Sequence, residues 1–296
     1  MKDTKRYFFC GIGGSGMLPL AMIVRASGNE VRGSDRSLDQ GRIAGKFEWL
    51  AKQGVGLFAQ DGSGVTDPEQ VFVASAAIES SVPDVAKAEG LGCTRMTRAD
   101  LNAGLFNAAE KRIGVGGTSG KSTVTGMIGW IMHKAGERPT VMNGAVMRNF
   151  SGPDNPFASA LAGDPRCYIS EVDESDGSIA QYQPTVAVVT NISLDHKSLD
   201  ELRALFGDFA GKAQRAIINA DDPHSAPLLA GGNVTSFGFN ENADVRALDF
   251  VPLVDGCTAT VVIGERSLPL RLSMPGRHNV ANALAAIAAC QASGIE

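Results

Sequence analysis

Arg112-Ile113-Gly114-Val115-Gly116-Gly117-Thr118-Ser119-Gly120-Lys121-Ser122-Thr123 decides the fold, because it compresses a strand, a glycine turn and a helix start into twelve residues. Arg112 to Val115 reads as a short strand. Ser122 to Ala135 reads as the helix that follows, stopped by Gly136 and then Pro139. A turn of this kind exposes backbone N–H groups and the positive end of a helix, which is the chemistry of a phosphate cradle. Gly117, Thr118, Ser119 and Gly120 would wrap an ATP triphosphate, Lys121 would bridge its terminal phosphates, and Ser122, with Thr123 behind it, would reach Mg²⁺. The strict pattern GxxxxGK[ST] is not met, since Val115 stands where its first glycine belongs. The alternative is a glycine-rich helix entry carrying a solvated lysine, and the strand–loop–helix context argues against it.

Upstream, Tyr7-Phe8-Phe9-Cys10 runs into Gly11-x-Gly13-x-x-Gly16 and then into a helix from Met17 to Ala26, ended by Ser27-Gly28-Asn29. Glycines there let a backbone approach a pyrophosphate. Asp35, at the end of the next strand (Glu30 to Asp35), stands where a dinucleotide fold puts a carboxylate on a ribose. The signal is weak by itself: it does not separate NAD from a UDP-sugar, and a tight packing turn is the plain alternative. Val71 to Ala74 is a further strand, followed by the turn Ser75-Ala76-Ala77, and a helix near Ala99 to Ala109 closes this part. The β–α–β rhythm predicts an α/β fold with a parallel sheet covered by helices on both faces, in two domains that meet near residues 107–111.

Downstream, Ile169-Ser170-Glu171-Val172-Asp173-Glu174-Ser175-Asp176 gathers four acids at one strand end, and Asn191-Ile192-Ser193-Leu194-Asp195-His196 ends the next, Val186 to Thr190. Loops at the carboxyl ends of parallel strands converge, so oxygen ligands and a histidine should meet the phosphates. A solvated acidic loop and a capping histidine form the plainer reading. His133 and His224 read as surface residues. Val234 to Leu272 alternates in short segments, as a small, partly antiparallel sheet would, before a helix from Val280 to Ala292.

Composition sets bounds. A chain of 296 residues that is 44% hydrophobic and 20% charged is ordinary for a globular protein. Its net charge of -5 gives no electrostatic reason to expect nucleic acid or an anionic membrane. The five cysteines are scattered with no CxxC pair, which predicts reduced thiols and a cytoplasmic protein. No apolar run approaches the ~20 residues of a membrane span.

Taken in order, Gly11-Ile12-Gly13-Gly14-Ser15-Gly16-Met17, Gly33-Ser34-Asp35, the loop Gly117 to Thr123, Glu171 to Asp176, Thr190-Asn191-Ile192 with Asp195-His196, Asp221-Asp222-Pro223 and Pro275-Gly276-Arg277-His278-Asn279-Val280-Ala281-Asn282 resemble the Mur ligases. The resemblance covers nearly the whole chain, and the alanine-adding members are nearest. It implies a Rossmann-like UDP-sugar-binding domain over 1–108 and a P-loop-type ATPase domain over 109–296, the latter with a mostly parallel sheet and a small additional β-sheet. The family's C-terminal ligase domain would be absent from this chain, leaving it weakly active or inactive alone.

The implied activity joins an amino acid, L-alanine foremost, to the carboxylate of UDP-N-acetylmuramate through an acyl phosphate, in peptidoglycan precursor synthesis, with ATP and Mg²⁺. By the same resemblance Gly13, Gly14, Ser15, Gly16, Met17 and Asp35 would face UDP, with Ser75 and Ala76 nearby. Lys121 would hold ATP, Ser122 and Glu171 one Mg²⁺, and His196 a second. Asn191 would line the phosphate site, and Asn279 and Asn282 the adenine side. Ser119 and Ser122 depart from the histidine and threonine usual in alanine ligases, and Lys197-Ser198-Leu199 departs as well. A divergent paralogue, a ligase that recycles whole peptides, a non-catalytic UDP-sugar or nucleotide binder and an NAD-dependent dehydrogenase are the rival readings.

Overall fold

The computed structural model describes residues 4–75, 78–194 and 197–295. The chain divides into two compact units, Met1–Leu105 with Met142–Pro165, and Phe106–Val141 with Arg166–Glu296.

In the first unit the elements run β1 (Arg6–Cys10), α1 (Met17–Ala26), β2 (Glu30–Ser34), α2 (Arg36–Asp39), α3 (Ala44–Lys52), β3 (Gly56–Phe58), β4 (Val71–Ala74), α4 (Pro83–Leu91), β5 (Arg95–Thr97) and α5 (Arg98–Asn107). Every strand pair is parallel, in the order β3-β2-β1-β4-β5. The order reverses between β1 and β4, so their carboxyl ends frame the crevice where open α/β sheets take ligands. The glycine turn follows β1 and Ser75 follows β4, which sets both at that crevice.

Phe8, Cys10, Phe72, Ala74, Val85 and Ala88 pack beneath them. Among these apolar groups lies one fully buried acid. Asp84 accepts from Gly62 N at 2.7 Å and from the Ser34 hydroxyl, with the Cys10 thiol at 3.7 Å. It stands in the first turn of α4, where a negative charge is favoured. Burial, reinforced by the Asp84 charge, pushes the Cys10 thiol up to about 12.

The second unit contains β6 (Lys111–Gly116), α6 (Lys121–Lys134) and β7 (Pro139–Met142). After β8 (Ala160–Leu161), which lies in the segment that packs with the first unit, come β9 (Asp164–Glu171), β10 (Val186–Val189), α7 (Leu199–Gly211) and β11 (Arg215–Asn219). The chain then continues through β12 (Val234–Gly238), β13 (Val245–Leu253), β14 (Gly256–Ile263), β15 (Arg266–Leu272) and α8 (Arg277–Ala292). The strands lie in the order β15-β14-β13-β12-β11-β10-β6-β9-β7. β12 is parallel to both neighbours, whereas β13, β14 and β15 are antiparallel. The antiparallel set expected between Val234 and Leu272 is therefore present, but it continues the edge of the main sheet instead of standing apart.

Small residues allow close packing where the site is built. A Cβ on Gly114 would lie 2.7 Å from Phe209, so α7 can rest directly on β6. The buried face of α8 is mostly alanine, and that helix packs against α6. Beneath the sheet, Phe106 meets Tyr168 and Tyr182 edge-on, at 6.0 and 5.1 Å between ring centres.

Met142–Pro165 belongs to the first unit although its sequence interrupts the second. Trp49 Nε1 donates to the carbonyl of Asp154 at 3.0 Å, and its ring meets Phe157 edge-on at 5.5 Å. Among the described residues no helix is long and apolar enough to cross a membrane, and no disulfide joins the cysteines.

Candidate active site

Register places three loops together in the second unit. Val115 pairs with Glu171 across β6 and β9, and Gly116 pairs with Val189 across β6 and β10, all in parallel. The turns after β6, β9 and β10 therefore emerge on one edge. Val115 is fully buried in β6, which explains the departure from the strict phosphate-loop pattern. The strand continues through Gly116, and the sharp turn falls at Gly117, with φ of 126° and no room for a Cβ, which would lie 2.1 Å from Thr190 Oγ1. Gly120, with φ of 86°, then opens α6.

The loop is braced from β10. Thr190 Oγ1 donates to Ser119 O at 2.6 Å. Asn191 grips the same residue twice: Oδ1 accepts from Ser119 N at 3.1 Å and Nδ2 donates to Ser119 O at 2.9 Å. Thr118 N donates to Asn191 O at 3.0 Å. The amide side chain of Asn191 thus holds the loop, and the Ser119 N–H is engaged by it. Behind this layer Asn219 Nδ2 donates to Thr190 O at 2.8 Å, and Asp222 accepts from Ile192 N at 2.8 Å. Asp221 meanwhile accepts from Phe239 N and Asn240 N at 2.7 and 2.8 Å, tying down the turn after β12.

A helix start carries N–H groups that the helix itself does not bond, and the first turn of α6 opens on a cleft of about 280 Å³ lined by Thr118, Gly120, Lys121, Ser122, Thr123 and Glu171. Lys121 Nζ donates to Gly117 O at 2.7 Å and pairs with Glu174 at 3.0 and 3.3 Å. Ser122 Oγ donates to Glu171 Oε2 at 2.8 Å. Two adjacent oxygens of an octahedral Mg²⁺ shell, each at 2.0–2.1 Å from the metal, lie about 2.9 Å apart. The hydroxyl and the carboxylate are therefore spaced as neighbouring ligands of that ion would be. Mg²⁺ usually takes one or two protein ligands of this kind, with water and phosphate oxygens filling the rest of the shell. His196 and Ala76 lie outside the described residues.

Asn282 joins this site, with its Oδ1 only 2.7 Å from where a Cβ on Gly120 would be. Asn279 sits one turn earlier on α8, where it donates to Pro275 O at 2.8 Å and accepts from Asn282 Nδ2 at 3.4 Å. Of the other histidines, His133 is exposed, while His224 Nδ1 lies 2.9 Å from an Arg203 nitrogen.

The glycine turn of the first unit is built differently. Asp35 is 9% exposed, and each of its oxygens accepts a backbone N–H at 2.8 Å, one from Gly13 and one from Ser37. It closes the turn and caps α2. Lys46 Nζ donates to Gly13 O at 2.9 Å, and a Cβ on Gly16 would strike Arg98 Cδ at 2.8 Å. Gly14 and Ser15 are exposed on the turn, and so is Ser75 at the end of β4. Met17, also expected to face UDP, has its side chain buried, and its N–H donates to Gly14 O at 3.1 Å.

A model of the Mur ligase middle domain matches residues 115–290, and one of the Mur ligase family catalytic domain matches residues 6–110. The chain belongs to the Mur ligase family. It is 35% identical to a UDP-N-acetylmuramate–L-alanine ligase of Thermosynechococcus vestitus, over 99% of this chain and 62% of that protein. It is 36% identical to one of Streptomyces coelicolor, over 98% of this chain and 63% of that protein. This chain thus spans about three-fifths of the length of these relatives. The crystal structure of a UDP-N-acetylmuramate-alanine ligase from Thermotoga maritima superposes with a TM-score of 0.82 at 25% identity, covering 98% of this chain and 65% of that one. A UDP-N-acetylmuramate:L-alanyl-γ-D-glutamyl-meso-diaminopimelate ligase of Neisseria meningitides shares the fold, with a TM-score of 0.81 at 24% identity, covering 99% of this chain and 94% of that one.

Within this Mur ligase chain, sequence reasoning left several residues of the site unassigned. Glu174 was one acid among four, and spacing alone does not say which of them faces Lys121. Thr190 and Asp222 act through loops remote in sequence. Lys46 and Arg98 flank the first turn without any motif of their own.

Proposed function

We propose that this chain provides the UDP-sugar-binding and ATP-binding parts of a ligase that joins L-alanine to the carboxylate of UDP-N-acetylmuramate. The observation that supports it most is the convergence of Lys121, Ser122 and Glu171 on the cleft at the start of α6. L-Alanine and the sugar acceptor are taken from the names of the Thermosynechococcus and Streptomyces relatives.

A carboxylate is a poor acyl donor until its oxygen becomes a leaving group. In the proposed reaction a carboxylate oxygen of the sugar attacks the γ-phosphorus of ATP in line, and the bond to ADP breaks. The amine of the amino acid then attacks the acyl carbon, loses a proton, and inorganic phosphate departs. Lys121 places its ammonium against the phosphate charge, and the N–H groups at the start of α6 orient the chain of phosphates. Mg²⁺ on Ser122 and Glu171 would supply further charge compensation. No side-chain nucleophile is required, since positioning and electrostatics carry phosphoryl transfer. The turn after β1 and Ser75 after β4 are proposed to seat the UDP moiety.

Phosphate release by the full gene product, given UDP-N-acetylmuramate, MgATP and a panel of amino acids, tests this. Release should depend on the sugar nucleotide, be greatest with L-alanine, and vanish in Lys121→Ala. Unchanged turnover in that variant would refute the assignment.

A further inference from the structure

We propose that Glu174 is a selectivity residue: by holding Lys121 it makes the cleft accept a nucleoside polyphosphate with its divalent cation in preference to the metal-free form. This rests on the nucleotide reading above and adds to it a role for a residue outside the phosphate loop.

An ammonium has three donors. Lys121 directs one to Gly117 O at 2.7 Å, inside its own loop, and the Glu174 carboxylate engages the ammonium through both oxygens, at 3.0 and 3.3 Å. A phosphate that is to use Lys121 must take donor capacity from Glu174. The pair is secluded, with side-chain exposures of 15% for Lys121 and 7% for Glu174, so its attraction is much less screened than on the open surface.

The neighbouring charge has the same sign as Glu174. Glu171, three residues earlier, faces Ser122 at 2.8 Å and lines the same cleft. Two carboxylates therefore stand against one ammonium where a polyanion is to bind. A bare polyphosphate meets repulsion and a contested lysine. A polyphosphate carrying a divalent cation brings less negative charge, and the cation finds the Ser122 hydroxyl and Glu171 at the spacing it needs. Had Glu174 served only to aim Lys121, removing its charge would loosen the lysine and weaken every nucleotide alike. The two roles thus predict opposite signs for the metal-free complex.

Titration of ATP into the chain by calorimetry, once with EDTA and once with excess Mg²⁺, separates them. In Glu174→Gln, which keeps the shape and one of the two acceptors, metal-free ATP should bind about tenfold tighter than to the unaltered chain, about 1.4 kcal/mol. The Mg²⁺ complex should change far less, so the preference for the metal-bound form falls. Glu174→Ala should shift metal-free binding the same way, which keeps the test available if the first variant folds poorly. Adding Lys121→Ala to Glu174→Gln should remove the gain. Weaker or unchanged metal-free binding in both Glu174 variants, with the unaltered chain binding MgATP normally, overturns this proposal alone. Failure of the unaltered chain to bind ATP under either condition removes the nucleotide reading and this proposal with it.

Discussion

Two glycine turns, each following a parallel strand and opening a helix, end up with different electrostatics. Around Gly11–Gly16 the acid is occupied by the backbone: Asp35 accepts from Gly13 N and Ser37 N, both at 2.8 Å, and Lys46 donates to Gly13 O. Around Gly117–Gly120 the backbone is held by neutral side chains, Thr190 and Asn191, while Lys121, which lines the cleft, pairs directly with Glu174. A turn whose charges brace its own shape suits a ligand that must be held and released unchanged. A turn that leaves an ammonium, a hydroxyl and two carboxylates together suits a reaction in which phosphate charge is redistributed.

If that contrast is right, the largest effect comes from Lys121→Ala. Nucleotide affinity should fall on the order of 100-fold, the loss of about two charge-assisted hydrogen bonds. UDP-N-acetylmuramate binding should stay unchanged, and calorimetry with each ligand checks both. Equal losses of both ligands would break the distinction between the turns.

Gly117→Ala comes next. A Cβ there would lie 2.1 Å from Thr190 Oγ1 at a backbone φ of 126°, and strain with overlap should cost about 2–4 kcal/mol. Gly14→Ala meets its nearest atom, Gly11 O, at 3.2 Å and should cost less. Urea unfolding of the two variants ranks them. Asp35→Ala should cost about 1–2 kcal/mol through the lost cap of α2 and leave ATP affinity untouched, as urea unfolding and an ATP titration would show.

The smallest effect concerns two buried thiols, one in each unit. Burial above all pushes both Cys10 and Cys290 up to about 12, with Asp84 adding to the first and Cys167 to the second. The folded state thus prefers the neutral thiol. That preference contributes its full stability below the unfolded pKa near 8.5 and is lost as pH rises from there towards 12. Between pH 7.5 and 9.5 each thiol should cost about 1 kcal/mol of stability. Unfolding of Cys10→Ala and Cys290→Ala across that range should show a shallower decline than the unaltered chain. Both thiols should also resist alkylation at pH 8.5, followed by mass spectrometry.

Much of this is legible in the sequence. Apolar runs ending in glycine located β1, β6 and their helices, and of the acids at the end of β9, Glu171 and Glu174 lie against Ser122 and Lys121. The helix α7 carried a readable start, since Ser198 and Glu201 form a reciprocal capping box, but no apolar period ahead of it drew attention. Other features need three dimensions. Asn191 reads as a phosphate-site residue, yet its amide is committed to Ser119, seventy-two positions away. The return of Met142–Pro165 to the first unit depends on Trp49 meeting Phe157, and no local pattern encodes a contact that distant. Met17 lies in a glycine-rich motif, and its burial at the start of α1 shows only in three dimensions.

The most direct measurement is a crystal structure of this chain with Mg²⁺ and a non-hydrolysable ATP analogue. The triphosphate should lie along Gly117–Thr123, with Lys121 Nζ at about 3 Å from a phosphate oxygen and the cation on Ser122 Oγ and Glu171. A nucleotide seated instead on Gly11–Gly16, with the cleft at the start of α6 bypassed, would contradict the assignment of the two turns.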